Sequence, residues 1–264
     1  MPRELSFQDK LSLSILSGRA VAPLDPDPVG VYRMSETGLC QRKIVYARTN
    51  TPKSNRPEPY ELERMDKGDA LHDYIRNVVI PTYTGYQVIE QEDELHLGQD
   101  GIIFDGHTDG LLATKPKSKR IKPKPIAILE VKTMSDWGFK EVEKRNFEDP
   151  THYSMGYVRQ GNRYCAAKRK KYPDLNMICI LCYNCDGKPS KVTQLPFRDY
   201  WFHFDQEALD RDIEQRIQLE KGIKDGHLPP RYYPAKGDWG CKICSWRDRC
   251  WDVDGTTLPP PESV

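Results

Sequence analysis

Nothing in this chain of 264 residues approaches the run of about 20 apolar side chains that crosses a bilayer, which excludes a hydrophobic transmembrane helix and any membrane role built on one. The first twenty residues, MPRELSFQDKLSLSILSGRA, also lack an uninterrupted apolar stretch and carry Glu4 and Asp9, so they do not read as a secretory signal. The expectation is an intracellular, cytoplasmic protein. Net charge is nearly absent too. Forty Lys and Arg stand against 39 Asp and Glu, yet 30% of the residues are charged, so the balance hides local segregation and the clusters matter more than the total. No internal repeat is present.

What the chain does have is eight cysteines. In a reducing compartment they point to metal ligation or burial before disulfides. Three fall in CKICSWRDRC, residues 241–250, where Cys241-x-x-Cys244 followed by Cys250 places three thiolates within ten residues and a Cys-x-x-Cys turn can grip a metal. The denser CILCYNC, with Cys179, Cys182 and Cys185, is a decoy. In an extended strand Cys179 and Cys182 face opposite sides, so these three and Cys165 read as packing residues.

Along the chain, a short amphipathic piece and the proline-rich VAPLDPDPVG form an extended lead-in, and ETGLCQRKIVYA (36–47) reads as a helix carrying Cys40. A second helix is expected over about 61–79, with Leu62, Met65, Leu71, Ile75 and Val78 as its apolar stripe. YQVIEQEDELHLG, GIIFDGHTDGLLAT and PIAILEVKTM read as strands of one sheet. A helix over about 153–171, the strand MICILCYN and a long charged helix ending at Gly226 follow. The layout is α/β or α+β in one compact domain.

Within it, Glu130 and Lys132 are two apart on one strand and share a face, while Asp109 ends another strand. If the strands are neighbours, two carboxylates and an ammonium converge. Carboxylates are hard oxygen ligands for Mg²⁺ or Mn²⁺, and a nearby lysine offsets charge on a phosphate or holds the attacking water. Glu130 follows the apolar run IAIL, and a carboxylate on a buried strand is costly unless paired or bound to metal.

The ordered set Gly68-x-x-x-His72, Gly106-x-x-Asp109, Glu130-x-Lys132 and Gln160-x-x-x-Tyr164 resembles the RecB-like branch of the PD-(D/E)xK nuclease superfamily. That resemblance implies a restriction-endonuclease-like mixed central sheet flanked by helices. It implies His72, Asp109 and Glu130 as metal ligands with the Val131 carbonyl as a further one, Lys132 as the catalytic lysine, and Gln160 and Tyr164 as residues that position DNA and brace the site. CQRKIVY at Cys40 resembles the Cys-x-Arg-x-x-x-Tyr element of relatives that carry an iron–sulfur cluster, among them CRISPR-associated and AddB-type nucleases. It implies a [4Fe–4S] cluster on Cys40, Cys241, Cys244 and Cys250, closing a loop of about two hundred residues; a structural Zn²⁺ on the same thiolates is the alternative. The segments then read as a lead-in and helical part with Cys40 over 1–60, a nuclease core over 61–200, a helix and Cys-rich segment over 201–252, and a flexible tail over 253–264.

The expected function is a Mg²⁺- or Mn²⁺-dependent DNA exonuclease acting on single-stranded or end-containing DNA, with a helicase or a recombination or adaptation complex as a further partner and no membrane. The alternative is a non-catalytic DNA-end-binding or assembly subunit working with a helicase or integrase. KPKSKRIKPKP, residues 115–125, either engages phosphates or is a solvated hairpin tip. AAKRKKY (166–172) has a sufficient structural reason in opposing a helix dipole, and Tyr232, Tyr233, Trp239, Trp246 and Trp251 read as packing around the cluster before base stacking.

Overall fold

The strand Pro125–Met134 sets the architecture because its sequence alternates two kinds of burial. Ala127, Leu129 and Val131 point to one face, into an apolar cluster with Ile75, Ile80, Leu112 and Cys179. Ile128, Glu130 and Lys132 point to the other, as the period of two requires. Each aliphatic side chain buried there contributes about 1.5–3 kcal/mol, which anchors the strand firmly enough to carry two charged groups on its second face.

The structure is a computed structural model and describes residues 31–35, 40–49, 51–55, 59–116, 118, 120–150 and 152–252. The expected lead-in, the residues 36–39 that open the first expected helix, and the tail lie outside them. Among the described residues no helix is long and apolar enough to cross a membrane.

The chain divides into two compact units. The larger takes in residues 71–225 and the strand β1 (Val31–Arg33). After the last turn of α2 (Pro59–Tyr74) comes a π-helical turn, Ile75–Val79, and the short α3 (Ile80–Tyr83). Strands β2 (Tyr86–Ile89), β3 (Asp93–Gln99), β4 (Ile102–Thr108), β5 (Gly110–Thr114) and β6 (Pro125–Met134) follow, then α4 (Asp136–Arg145), α5 (Met155–Arg169), β7 (Met177–Asn184), β8 (Phe197–His203) and α6 (Gln206–Lys224). Five strands form a mixed sheet in the order β2-β5-β6-β7-β8, parallel only between β6 and β7 and flanked by helices. A second sheet has the order β1-β4-β3.

The single sheet expected from the sequence is therefore two. GIIFDGHTDGLLAT is not one strand but β4 and β5, broken at Asp109, and YQVIEQEDELHLG splits likewise between β2 and β3. Gly110 makes the break: its φ of +138° suits glycine alone, and a Cβ there would stand 2.5 Å from Val88 Cγ1. The expected stripe of the 61–79 helix also fails in part. Ile75 is fully buried, but Met65 and Val78 are exposed; at Val78 the π turn over Ile75–Val79 rotates the register.

Caps follow local chemistry. Ser135 accepts from Gly138 N at the start of α4, Asn146 ends it in the left-handed region, and Asp205 accepts from Ala208 N to begin α6. Helix α5 lies close on β7 because Gly161 faces Ile178.

The smaller unit holds residues 40–70 and 226–252, with α1 (Gln41–Arg48), α7 (Trp239–Lys242) and α8 (Arg247–Asp252). Its C-terminal part is tied to residues 51–55: Trp246 Nε1 donates to the Thr51 carbonyl at 2.7 Å, and Asn55 Nδ2 donates to Asp248 Oδ2 at 2.7 Å. Trp246 is buried beside Tyr46.

Candidate active site and cysteine cluster

Asp109 occupies the corner between β4 and β5, where its two oxygens are divided between two elements. Oδ1 lies 2.9 Å from His72 Nδ1, in the last turn of α2, and Oδ2 accepts from Val131 N of β6 at 2.7 Å. Burial works against its ionisation, but the His72 contact, the Val131 N–H and the Lys132 charge together hold its carboxyl below the usual range.

Glu130, 2% exposed, is the counterpart. Its Oε1 lies 2.5 Å from Lys132 Nζ, while Oε2 is buried with no hydrogen-bond partner. Burial, opposed by Lys132 and reinforced by the Asp109 charge, pushes its carboxyl up to about 7. Lys132 Nζ also donates to Gln160 Oε1 at 3.1 Å, and Gln160 Nε2 donates to the Tyr164 hydroxyl at 2.9 Å. Burial, with the Glu130 charge next, raises the Tyr164 hydroxyl, so it stays protonated.

The structure thus brings together His72, Asp109, Val131, Glu130, Lys132, Gln160 and Tyr164. Gly106 has a local reason to lack a side chain: its Cβ would stand 3.0 Å from Met34 Cβ and 3.5 Å from Tyr164 Cε1.

Two residues were missed from sequence. Arg76, 4% exposed, donates to the Asp109 carbonyl at 3.3 Å, to Asp109 Oδ1 at 3.5 Å and to Asp73 at 2.6 Å, and it also pairs with Glu92. Tyr157 holds its ring 4.8 Å below Lys132 Nζ. Helical spacing was the available signal: Arg76 is four residues past His72, and Tyr157 is three before Gln160.

Three of the four cysteines expected to pack do so, and the fourth is a correction. Cys165, Cys179 and Cys182 are buried, but Cys185, expected to pack, is exposed, because β7 ends at Asn184 before reaching it. The other four belong to the smaller unit. Cys40 stands at the start of α1, Cys241 in α7 and Cys250 in α8. Burial raises the thiols of Cys241 and Cys244 first, and Cys40 and Cys250 also raise both. Arg42 Nη1 stands 3.9 Å from Cys250 Sγ, and the Trp251 indole N–H lies against Cys241 without reaching a full hydrogen bond. Among the described residues no three His, Cys, Asp or Glu side chains already stand in a formed metal shell.

Of the basic segments, Lys168 is buried against Glu90 and Asp93, and Lys171 pairs with Glu90 at 2.5 Å, so both fasten α5 to the β2–β3 connection. Lys117 and Lys119 of the 115–125 loop lie outside the described residues.

No family model matches the chain, and no curated protein sequence matches it. Among solved structures, the protein SSO0001 is similar with a TM-score of 0.51 and 13% identity, over 93% of this chain and 98% of that one. The alkaline exonuclease LHK-Exo from Laribacter hongkongensis is similar with a TM-score of 0.46 and 17% identity, over 75% of this chain and 91% of that one. Its complex with dAMP scores 0.44 at 16% identity. The likeness to SSO0001 shows a shared fold.

Proposed function

We propose that the chain is a Mg²⁺- or Mn²⁺-dependent deoxyribonuclease of the RecB-like PD-(D/E)xK type that degrades DNA from single-stranded ends. The observation that carries this reading is the buried, partnerless Glu130 Oε2 beside a second carboxylate and a lysine. Leaving such an oxygen unsatisfied costs stability, and a cation is the partner its chemistry asks for.

His72, Asp109 and Glu130, with the Val131 carbonyl, would hold the ion, which when bound polarises the scissile phosphate and acidifies a water. Lys132 places positive charge where the phosphate develops negative charge and orients the attacking water. Gln160 and Tyr157 keep its ammonium there, and Tyr164 fixes Gln160 in turn. The Val131 N–H and Arg76 hold Asp109. The non-catalytic alternative would call for a missing carboxylate or lysine, and all are present.

The four thiols of the smaller unit fit a [4Fe–4S] cluster by donor chemistry: four sulfurs and no competing carboxylate among the expected ligands. Its part would be to fasten the chain rather than to act on DNA. Zn²⁺ on the same thiols is separated from it by metal analysis.

The test is end-labelled single-stranded DNA incubated with the protein and Mn²⁺. The parent should degrade it and Asp109→Ala and Lys132→Ala should not; equal activity in all three refutes the mechanism. Anaerobically purified protein should be brown, with about four irons per chain. Colourless, zinc-loaded, active protein refutes the cluster.

A further inference from the structure

Helix α4 begins two residues after β6 ends, and one stripe of its outer face has an unusual composition. Trp137, Lys140 and Lys144 are spaced i, i+3 and i+7, so they lie in a row. The Trp137 indole is 57% exposed and has no hydrogen-bond, ring or cation partner among the described residues. Farther along α4, a cavity of about 650 Å³ is lined by Lys140, Lys144, Lys191, Val192 and Arg198 together with Glu141 and Glu143. Both carboxylates are already engaged, Glu141 with Arg145 at 3.4 Å and Glu143 with Arg198 at 3.2 Å and with Ser190. Lys140 is shared with Asp136 at 2.6 Å, whereas Lys144 and Lys191 have no ion pair among the described residues. Two ammonium groups therefore face the cavity uncompensated.

This surface is connected to the candidate site in two ways. Lys132 pairs in register with Cys182, and Cys182 with Arg198. Arg198 therefore shares the sheet face of Lys132, two strand spacings or roughly 10 Å away. An aromatic line provides the second connection. Tyr153 donates to the Gly138 carbonyl, next to Trp137, at 3.5 Å; its ring is 6.0 Å from that of Tyr157, and Tyr157 supports Lys132.

An exposed indole at the head of a row of cations is the combination that binds a flexible polyanion with open π faces. We propose that the outer face of α4 is a binding surface for single-stranded DNA beside the candidate site, with Trp137 stacked on a base and Lys144 and Lys191, helped by Lys140 and Arg198, on phosphates. A paired base buries both faces in the duplex, so the Trp137 contact selects single strands. The inference rests on the DNA reading of the site and gives it a neighbouring surface that holds the strand.

The experiment is anisotropy of a labelled oligothymidylate of about 15 nucleotides, and of a blunt hairpin duplex, with Mg²⁺ and Mn²⁺ withheld so that binding is read without cleavage. Trp137→Ala should weaken single-strand affinity about five- to 150-fold, the range of one base stack, and leave duplex affinity within twofold. Trp137→Phe should restore most of the loss. Lys144→Ala/Lys191→Ala should reduce the slope of log K against log salt by about 1.4, two contacts at about 0.7 each. Single-strand affinity within twofold of the parent in both variants, or equal losses on duplex and single strand for Trp137→Ala, overturns the binding surface. If the parent binds in this pattern but never cleaves, the nuclease reading fails and the binding surface stands.

Discussion

Adding one methyl group at Gly161 should separate stability from activity. Gly161 lies between Gln160 and Tyr164 on α5, and a Cβ there would stand 2.5 Å from Ile178 Cγ2 on β7. Carbon atoms pack at about 3.5–4.0 Å, so Gly161→Ala needs about 1 Å of new space between helix and sheet. Ile178 is fully buried near the start of β7, paired with β6 and β8 on either side, which leaves the helix as the element that moves. Overpacking of this kind costs about 1–3 kcal/mol, while alanine regains about 1 kcal/mol of helix propensity. The net loss is then about 0–2 kcal/mol, a fall in Tm of a few degrees for a chain this long. Activity should suffer far more. Gln160 moves with the helix, and its 3.1 Å bond to Lys132 Nζ cannot survive a 1 Å shift. A displacement of that size costs on the order of 100-fold in rate. The assay is single-turnover degradation of end-labelled DNA in Mn²⁺ alongside thermal unfolding. Ile178→Ala removes the clashing Cγ2, so Gly161→Ala/Ile178→Ala should recover most of the rate while remaining less stable than the parent, a non-additivity that marks direct contact. Refutation would be Gly161→Ala retaining a rate within threefold of the parent, or a double variant no faster than the single one.

Three further outcomes test other parts of the molecule. Cys40→Ala should lose bound metal and lower Tm together, whereas Cys165→Ala, fully buried in the other unit, should leave metal content unchanged; intact metal in Cys40→Ala refutes that ligand. Burial opposes the Glu90 carboxylate, but Lys168, Lys171 and Tyr172 outweigh it and bring it down to about 2 from 4.5. Its contribution, on the order of 2 kcal/mol after solvent screening, is therefore complete above about pH 4.5 and is lost as pH falls towards 2. Glu90→Gln should lower stability at pH 7 and flatten its acid dependence in urea titrations, and an unchanged acid limb would refute the assignment. Arg163, fully buried, pairs with Asp212 at 2.5 Å and donates to the Met34 carbonyl at 2.9 Å, so Arg163→Leu should cost about 3–5 kcal/mol, read as a lowered urea midpoint.

The chemical groups of the candidate site were legible in the sequence because they violate their surroundings. PIAILEVK places a carboxylate and an ammonium in a run that should be wholly buried, and that conflict is visible without coordinates. The mixed α/β layout was legible for the same kind of reason: MICILCYN reads as a strand because it is apolar on both faces, as a strand of a sheet covered on both faces must be. The strand β8, FRDYWFH, passed unnoticed. It lies at the sheet edge, with Trp201 exposed and Tyr200 buried, and its charged residues blur the alternation. Helix α4 was missed because only Phe139 and Val142 carry its apolar face. The split into two sheets was hidden in one backbone angle at Gly110, which no periodicity reports.

What supports the site was harder to read, and the reason is physical. Arg76 and Tyr157 are ordinary surface types, and only their contacts with Asp109 and Lys132 give them a role. The two glycines work by omission: Gly106 lets Tyr164 approach β4, and Gly161 lets α5 settle on Ile178. Between them they fix where the Tyr164–Gln160 pair can stand, and that pair in turn fixes the Lys132 ammonium beside Glu130. Reactive groups declare themselves by the cost of burying them, but their alignment is decided by how closely neutral backbone can pack. A chain with the same carboxylates and lysine but alanine at 106 and 161 would pass the same reading of its motifs, and its lysine would stand about an ångström from where the chemistry needs it.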